Sequence, residues 1–211
     1  GGTAHLTATG GVSYAWSTGQ SGASVDVTAQ GTYTVTATNA NGCVAEAQAA
    51  VTVNPLPVAT VTEHLEICRG QQAPLSVEAP SGCTFTWSTG SHQSMTVVTE
   101  PGEYQVTVTN ANQCSQVYPS LVVVHELPVV NVVGETDICQ GQGTTLTAMG
   151  ANSYYWSTGD VSASISVAPA SNTTYTVTGY DTSGCSTTVQ KSVSVVTPPT
   201  VQVQGERSVC Q

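Results

Sequence analysis

The sequence predicts an all-β chain, a tandem string of small two-sheet sandwiches, and three observations carry the prediction. First, the only three tryptophans among 211 residues each open a Trp-Ser-Thr-Gly stretch, at Trp16–Gly19, Trp87–Gly90 and Trp156–Gly159. Second, each stretch is followed by Tyr-x-Val and a cysteine. Trp16, Tyr33, Val35 and Cys43 recur as Trp87, Tyr104, Val106 and Cys114, then as Trp156, Tyr175, Val177 and Cys185, with 10 residues from Tyr to Cys every time. Self-similarity at a fixed period is the mark of an array. Third, the chain has 20 Gly, 10 Pro and only 8% charged residues. Ser, Thr and Val fill much of the remainder, which suits pleated strands and tight turns and disfavours helices.

Residues 1–54 form the first repeat. Leu6-Thr-Ala alternates as a strand, and Gly10-Gly11 makes a turn. Ser13–Ser17 is the Trp strand, and Ala23–Val27 alternates again. Along Gly31–Thr38, Tyr33, Val35 and Ala37 share one face while Thr34, Thr36 and Thr38 share the other. That period of two is what a half-buried strand requires. Asn39-Ala-Asn-Gly42 is a turn, Cys43 follows, and Ala49–Val53 is the last strand. Residues 55–126 repeat the scheme with a beginning that the first repeat lacks: a strand from Leu56 to Val61, then Ile67-Cys68-Arg-Gly70 ahead of Leu75. Gly102–Thr109 is its Tyr strand and Leu121–Val124 its last. Residues 127–197 do the same through Ile138-Cys139-Gln-Gly141, Leu146, Trp156, Tyr175, Cys185 and Val193–Val196. Residues 198–211 hold the first strand and first cysteine, Cys210, of a further repeat.

Asn54-Pro-Leu-Pro57, His125-Glu-Leu-Pro128 and Thr197-Pro-Pro199 join the repeats. Proline fixes φ and stiffens a connection, so the expected arrangement is a linear, semi-rigid rod. Strands of about seven residues at ~3.3 Å each, plus loops, give three domains a length of roughly 100–120 Å. Leu6, Leu75 and Leu146 hold one register at intervals of 69 and 71 residues, and a further 71 puts the register of Gly1 immediately after Gln211. The expectation is a whole number of repeats, cut just after a first cysteine. Two continuations fit. Either the residues are a stretch of a longer polypeptide, or they are a subunit whose C-terminal strand completes the next copy, an assembly mode that also covers an open sheet edge.

Three basic residues against 13 acidic ones give a formal net charge of −10. Nucleic-acid binding needs Lys and Arg against phosphate, and an anionic membrane surface asks for the same. Nucleic acid is excluded on that ground, and an anionic membrane surface is disfavoured. No stretch approaches the roughly 18 consecutive apolar residues of a membrane span, so no membrane insertion is expected in this segment. Gly1 sits inside a repeat, which places any targeting leader outside these residues.

Cys68 and Cys114 are 46 residues apart, as are Cys139 and Cys185. Each pair has one member before the Leu strand and one after the Tyr strand. Ends of a two-sheet sandwich can lie together, so the bonds expected are Cys68–Cys114 and Cys139–Cys185, one disulfide per domain. On the chain-entropy model such a loop is worth roughly 4 kcal/mol, a useful staple for a domain of modest core. Disulfides imply an oxidising compartment. The lack of Cys-x-x-Cys and of a recurring His argues against zinc. Cys43 and Cys210 are half-pairs, expected to bond across the boundary, either to a cysteine upstream of Gly1 or between copies. Cys83 has no counterpart and is either unpaired or an intermolecular bridge.

Little else in the chain carries chemistry. His5, His64, His92 and His125 fall at unrelated repeat positions. Glu63/Glu66 and Glu135/Asp137 lie beside turns or joints, and no Asp-x-Asp-x-Asp-Gly calcium loop is present. Gly-rich turns lack the Lys of a phosphate loop. No catalytic residue, cofactor or metal site is expected. Trp16, Trp87 and Trp156 read as core anchors together with Tyr33, Tyr104 and Tyr175, because aromatics dominate small cores.

Tyr14-x-Trp16-Ser-Thr-Gly19, then Gly31-Thr-Tyr-Thr-Val-Thr36, then Asn39-Ala-Asn-Gly42 resemble polycystic-kidney-disease (PKD) and immunoglobulin-like repeats. The pattern from Cys139 to Gly150 is similar to tandem modules of very large secreted surface proteins of Bacteroidota, gliding-motility adhesins among them. The resemblance covers essentially the whole chain. It departs at the turn after the Trp strand, where PKD repeats commonly carry an acidic residue and this chain has Gln20, Ser91 or Asp160. The ten-residue gap from Tyr to Cys also separates it from antibody-type domains, where the gap is two. The resemblance implies immunoglobulin-like sandwiches outside a bacterial cell. It further implies a structural stalk or filament repeat of an adhesin, partnered head-to-tail by adjacent copies, its surface ligand unspecified and its role not enzymatic. The alternative is a carbohydrate- or protein-binding accessory module of a secreted enzyme.

Overall fold

The computed structural model describes residues 2–205, so Cys210 lies outside the described residues. Every regular element among them is a β-strand. Within residues 1–54 these are β1 (Ala4–Thr7), β2 (Ser13–Trp16), β3 (Ser24–Val27), β4 (Gly31–Thr38) and β5 (Val44–Val51). Within 55–126 they are β6 (Thr60–Val61), β7 (His64–Cys68), β8 (Ala73–Glu78), β9 (Thr84–Trp87), β10 (Met95–Val98), β11 (Gly102–Thr109) and β12 (Ser115–His125). Within 127–197 follow β13 (Asn131–Val133), β14 (Asp137–Cys139), β15 (Thr144–Met149), β16 (Ser153–Trp156), β17 (Ser164–Val167), β18 (Thr173–Tyr180) and β19 (Ser186–Val196).

The described residues gather into two compact units. The first comprises 2–60, 78–93 and 106–118. In it β1 pairs antiparallel with β3, while β2, β4 and β5 form a three-stranded sheet. Alternate residues of these strands bury Trp16, Val25, Val27 and Val35 as one core, with Leu6, Tyr14 and Tyr33 packed at its side. β9 pairs with the end of β11 and brings Trp87 opposite Val106, both buried.

The second unit comprises 61–77, 94–105 and 119–205. Residues 127–197 show the full scheme within it. One sheet runs β13-β15-β17 and the other β14-β19-β18-β16. The first contributes Val132, Leu146, Ala148 and Ile165 to a shared core, and the second contributes Ile138, Trp156, Tyr175, Val177 and Val193. Two sheets facing one another over one apolar layer make an immunoglobulin-like β-sandwich. In the same unit β8 pairs antiparallel with β10.

Four features differ from the sequence reading. The strand expected from Leu56 to Val61 is confined to Thr60–Val61, and residues 198–205, expected to hold the first strand of a further repeat, form no strand. The last strands are longer than expected, β5 starting at Val44, β12 at Ser115 and β19 at Ser186. Their early residues are largely solvent-facing, so ladder pairing and not burial defines them. The short strand that ends in a first cysteine also runs parallel to the last strand. β7 pairs with β12 so that Cys68 lies opposite His125, and β14 pairs with β19 so that Cys139 lies opposite Val196. That direction decides the cysteine chemistry.

Each Trp-Ser-Thr-Gly stretch is a turn closing the Trp strand. Gly19, Gly90 and Gly159 donate their N–H to the tryptophan carbonyl at 2.9 Å. Their φ values of 83°, 86° and 91° are left-handed, a conformation that favours glycine. Each indole N–H is satisfied by a carbonyl six residues on: Gly22, Gln93 and Ser162. The indole is therefore buried without an orphaned donor.

Candidate functional site: a disulfide junction

The second cysteine of each repeat is presented by the same loop. Asp181 accepts the N–H groups of Ser183 and Cys185 on its carboxylate, each at 2.8 Å, while its own N–H donates to the Cys185 carbonyl at 2.9 Å. Asn110 does this for Asn112 and Cys114, and Asn39 for Asn41 and Cys43, all at 2.9–3.0 Å. Asn and Asp are suited to such turns because their side chains mimic a backbone acceptor. Position four of the loop is left-handed in each: Gly42 at 80°, Gln113 at 62°, Gly184 at 81°.

The first cysteine ends the parallel strand, and its partner is not the one expected. Cys185 precedes Ser186 at the start of β19, while Cys139 faces Val196 at its end. A strand of 11 residues sets the two cysteines about 33 Å apart at ~3.3 Å per residue, whereas disulfides need Cα atoms within about 7 Å. The Cys139–Cys185 bond is therefore ruled out. Cys68–Cys114 fails in the same way, since Cys114 precedes β12 and Cys68 lies opposite its last residue. The structure instead joins Cys68 to Cys185, Cα to Cα 5.6 Å, across a sequence separation of 117. The staple runs from one sequence repeat to the next.

Polar groups surround this bond. His125, opposite Cys68, holds the Ser183 hydroxyl through Nδ1 at 3.1 Å and Glu66 through Nε2 at 2.9 Å. His64 reaches the other oxygen of Glu66 at 3.0 Å. Hydrogen bonds from His64 and His125 hold the Glu66 carboxyl below its ordinary value of 4.5. Beside it the Arg69 guanidinium donates from Nε and Nη2 to the two oxygens of Glu126, the first at 2.6 Å. That pairing lowers the Glu126 pKa and raises that of Arg69. These histidines do not recur from repeat to repeat. They meet here because parallel pairing aligns β7 with the end of β12.

Cys43, Cys114 and Cys139 carry no disulfide in the structure, nor does the half-buried Cys83. The Cys114 thiol stands 3.8 Å from the carbonyl of Asn54, and the Asn110 side chain donates to the Pro55 carbonyl at 2.9 Å. Asn54 occupies the position that His125 occupies one repeat later, 11 residues after the second cysteine. Next to it runs a groove lined by Ala4, Val27, Val51, Val53, Asn54 and Cys114. In later repeats a parallel strand fills the equivalent place; in the first the three-stranded sheet ends at β5. A second groove, lined by Gly10, Trp16, Val35 and Ala37 among others, marks where β13 lies in residues 127–197. There the carbonyl of Val129 passes through the place a Cβ on Gly150 would take, whereas at Gly10, the same position, the space is open.

Among the described residues no group of three or more metal-ligating side chains gathers, and no helix is long and apolar enough to cross a membrane. No family model and no curated protein matches the chain. Solved structures resemble it at low identity. An adhesin described as Ca2+-stabilised, which helps an Antarctic bacterium reach out and bind ice, is 15% identical with a TM-score of 0.41, the match covering 94% of this chain and 69% of that one. Immunoglobulin domains 1–4 of Sidekick-1 are 14% identical with a TM-score of 0.37, covering 92% and 71%. The N-terminal eight immunoglobulin domains of Down Syndrome Cell Adhesion Molecule are 14% identical with a TM-score of 0.36 over 92% of this chain, which spans 34% of that one.

Proposed function

We propose that this chain is a structural segment of a bacterial cell-surface adhesin stalk or filament, made of repeats that continue head-to-tail outside the cell. One observation carries the reading: grooves lie beside β1 and β5, and two valines whose counterparts one repeat earlier are buried stand exposed in residues 198–205. Val130 and Val132 of residues 127–197 are buried at 8% and 6% exposure. Their counterparts in Val201-Gln-Val-Gln-Gly205 are Val201 and Val203, exposed at 81% and 87%. Two valines in water at a strand register are an unmet demand for a sheet edge. The groove beside β1 is the edge they fit, as β13 lies along β15, whether supplied by a second copy or by an adjoining stretch of the same polypeptide. The motif resemblance to PKD-like modules of Bacteroidota surface proteins supports the bacterial surface as the setting, and the disulfide supports an oxidising compartment. No enzymatic role enters this reading.

The test is strand addition. A peptide of residues 198–211 added to the chain should raise its melting temperature in a dose-dependent way, as a ligand for the folded state must. The peptide carrying Val201→Asp and Val203→Asp should not. An unchanged melting temperature with the natural peptide sinks the head-to-tail reading.

A further inference from the structure

The bond between Cys68 and Cys185 states a rule in repeat terms: the first cysteine of one repeat joins the second cysteine of the repeat that follows. Applied to the remaining cysteines, the rule leaves none of the recurring ones without a partner. We propose that Cys43, Cys114, Cys139 and Cys210 are open halves of this same bond, completed head-to-tail. Cys139 of one copy joins Cys43 of the next, and Cys210 of the first copy joins Cys114 of the next. The inference rests on the head-to-tail continuation proposed above.

Cys139 ends β14 opposite Val196, as Cys68 ends β7 opposite His125. Cys139 is exposed and unbonded, so it has the position of Cys68 without the partner. Cys43 is exposed too, on a loop whose Asn39 makes the same three hydrogen bonds that Asp181 makes around Cys185. It has the presentation of Cys185 without the partner. Cys114 sits on the third such loop, its thiol beside Asn54, the counterpart of the residue that faces Cys68. A strand laid parallel to the end of β5 in the register of β7 ends its cysteine opposite Asn54, next to that thiol. In sequence that cysteine is Cys210, which follows Val209 as Cys68 follows Ile67. The rule thereby replaces the Cys43–Cys210 pairing expected from the sequence. Those two cysteines belong to one completed repeat, and the length of the last strand separates them as it separates Cys139 from Cys185.

Closing each bond converts two thiols to one disulfide with loss of two protons and two electrons. A disulfide oxidant takes them, its own S–S bond being reduced to two thiols by exchange.

The experiment uses two forms: the 211-residue chain, and two copies fused so that Gln211 is followed directly by the next Gly1. Both are refolded with oxidised and reduced glutathione, then alkylated, digested without reduction and mapped by mass spectrometry. The fusion should yield the Cys139–Cys43 and Cys210–Cys114 peptides between its copies, and Cys139→Ser in the first copy should leave Cys43 of the second alkylated. Cys43–Cys210 or Cys139–Cys185 peptides in the fusion overturn the proposal, as does full alkylation of Cys139. The single chain separates the sources. A reducible ladder at multiples of 21.5 kDa with the same linked peptides supports bonding between separate copies. A monomer, with the pairs confined to the fusion, supports bonding between repeats of one polypeptide. Filaments stapled within repeats would sink this pairing and spare the stalk reading; correct pairs in a fusion that ignores the strand peptide would do the reverse.

Discussion

At the residue scale, what the sequence displays most plainly is backbone geometry. Trp-Ser-Thr-Gly is legible because a left-handed glycine and a large buried ring each leave few substitutes. The loop Asn39-Ala-Asn-Gly42 was readable as a turn, yet nothing in four residues says that the same turn aims a cysteine three times over. Gln113 is the exception that tests this account. It holds φ of 62° where Gly42 and Gly184 hold 80° and 81°. A side chain there is strained by about 1 kcal/mol, so Gln113→Gly should stabilise the chain by about that amount, read as a higher urea midpoint at unchanged slope. Glu66 tests the junction. Its carboxyl is held below its ordinary value by His64 and His125, so the charged form is favoured by folding. That contribution is present above the ordinary carboxylate value and is lost as pH falls through the depressed one. Glu66→Gln should therefore melt slightly below the unaltered chain near neutral pH, and the two melting curves should converge as the pH is lowered through the depressed carboxylate value. The carboxylate is solvent-exposed, so the difference is small. A gap that persists in acid contradicts the assignment.

At the element scale, strand existence was legible and strand direction was not. Alternation marks Gly31–Thr38 and Gly102–Thr109 to the residue, because Val35 in the one and Val106 and Val108 in the other face the core. Alternation says nothing about whether β7 runs with or against β12, and Cys68 changes ends of the sandwich on that choice. Equal spacing of 46 residues suggested closure within a repeat, but spacing along a chain carries no direction. The first and third repeats differ most sharply in two glycines at one position. Gly150 meets the Val129 carbonyl, and Gly10 meets nothing within 4 Å. Gly150→Ala should cost about 3 kcal/mol through overpacking against backbone in addition to its left-handed strain. Gly10→Ala should cost only the strain, about 1 kcal/mol. It should also block the strand peptide, since the new methyl would occupy the path of the incoming backbone. Chemical denaturation of both variants, with and without peptide, decides the matter.

At the scale of the whole molecule, repetition was legible from three tryptophans, but the unit that is covalently closed is not the unit that repeats. The sequence repeats end near residues 54, 126 and 197, whereas the disulfide reaches from β7, in the second repeat, to the loop before β19, in the third. Stability and repetition thus follow different boundaries, and only the path of the chain in space could separate them.

The same bond has a mechanical meaning. A force applied through the two chain ends reaches Cys68 and passes through sulfur to Cys185, bypassing the 117 residue steps between. At ~3.4 Å per residue, about 400 Å of contour is thereby kept out of reach of the load until the bond is reduced. An array closed by such bonds from each repeat to the next would carry tension along overlapping covalent bypasses. Pulling would then stretch a short shared backbone before it could unravel any one sandwich, and a thiol reductant would lengthen the chain under constant force without cutting it.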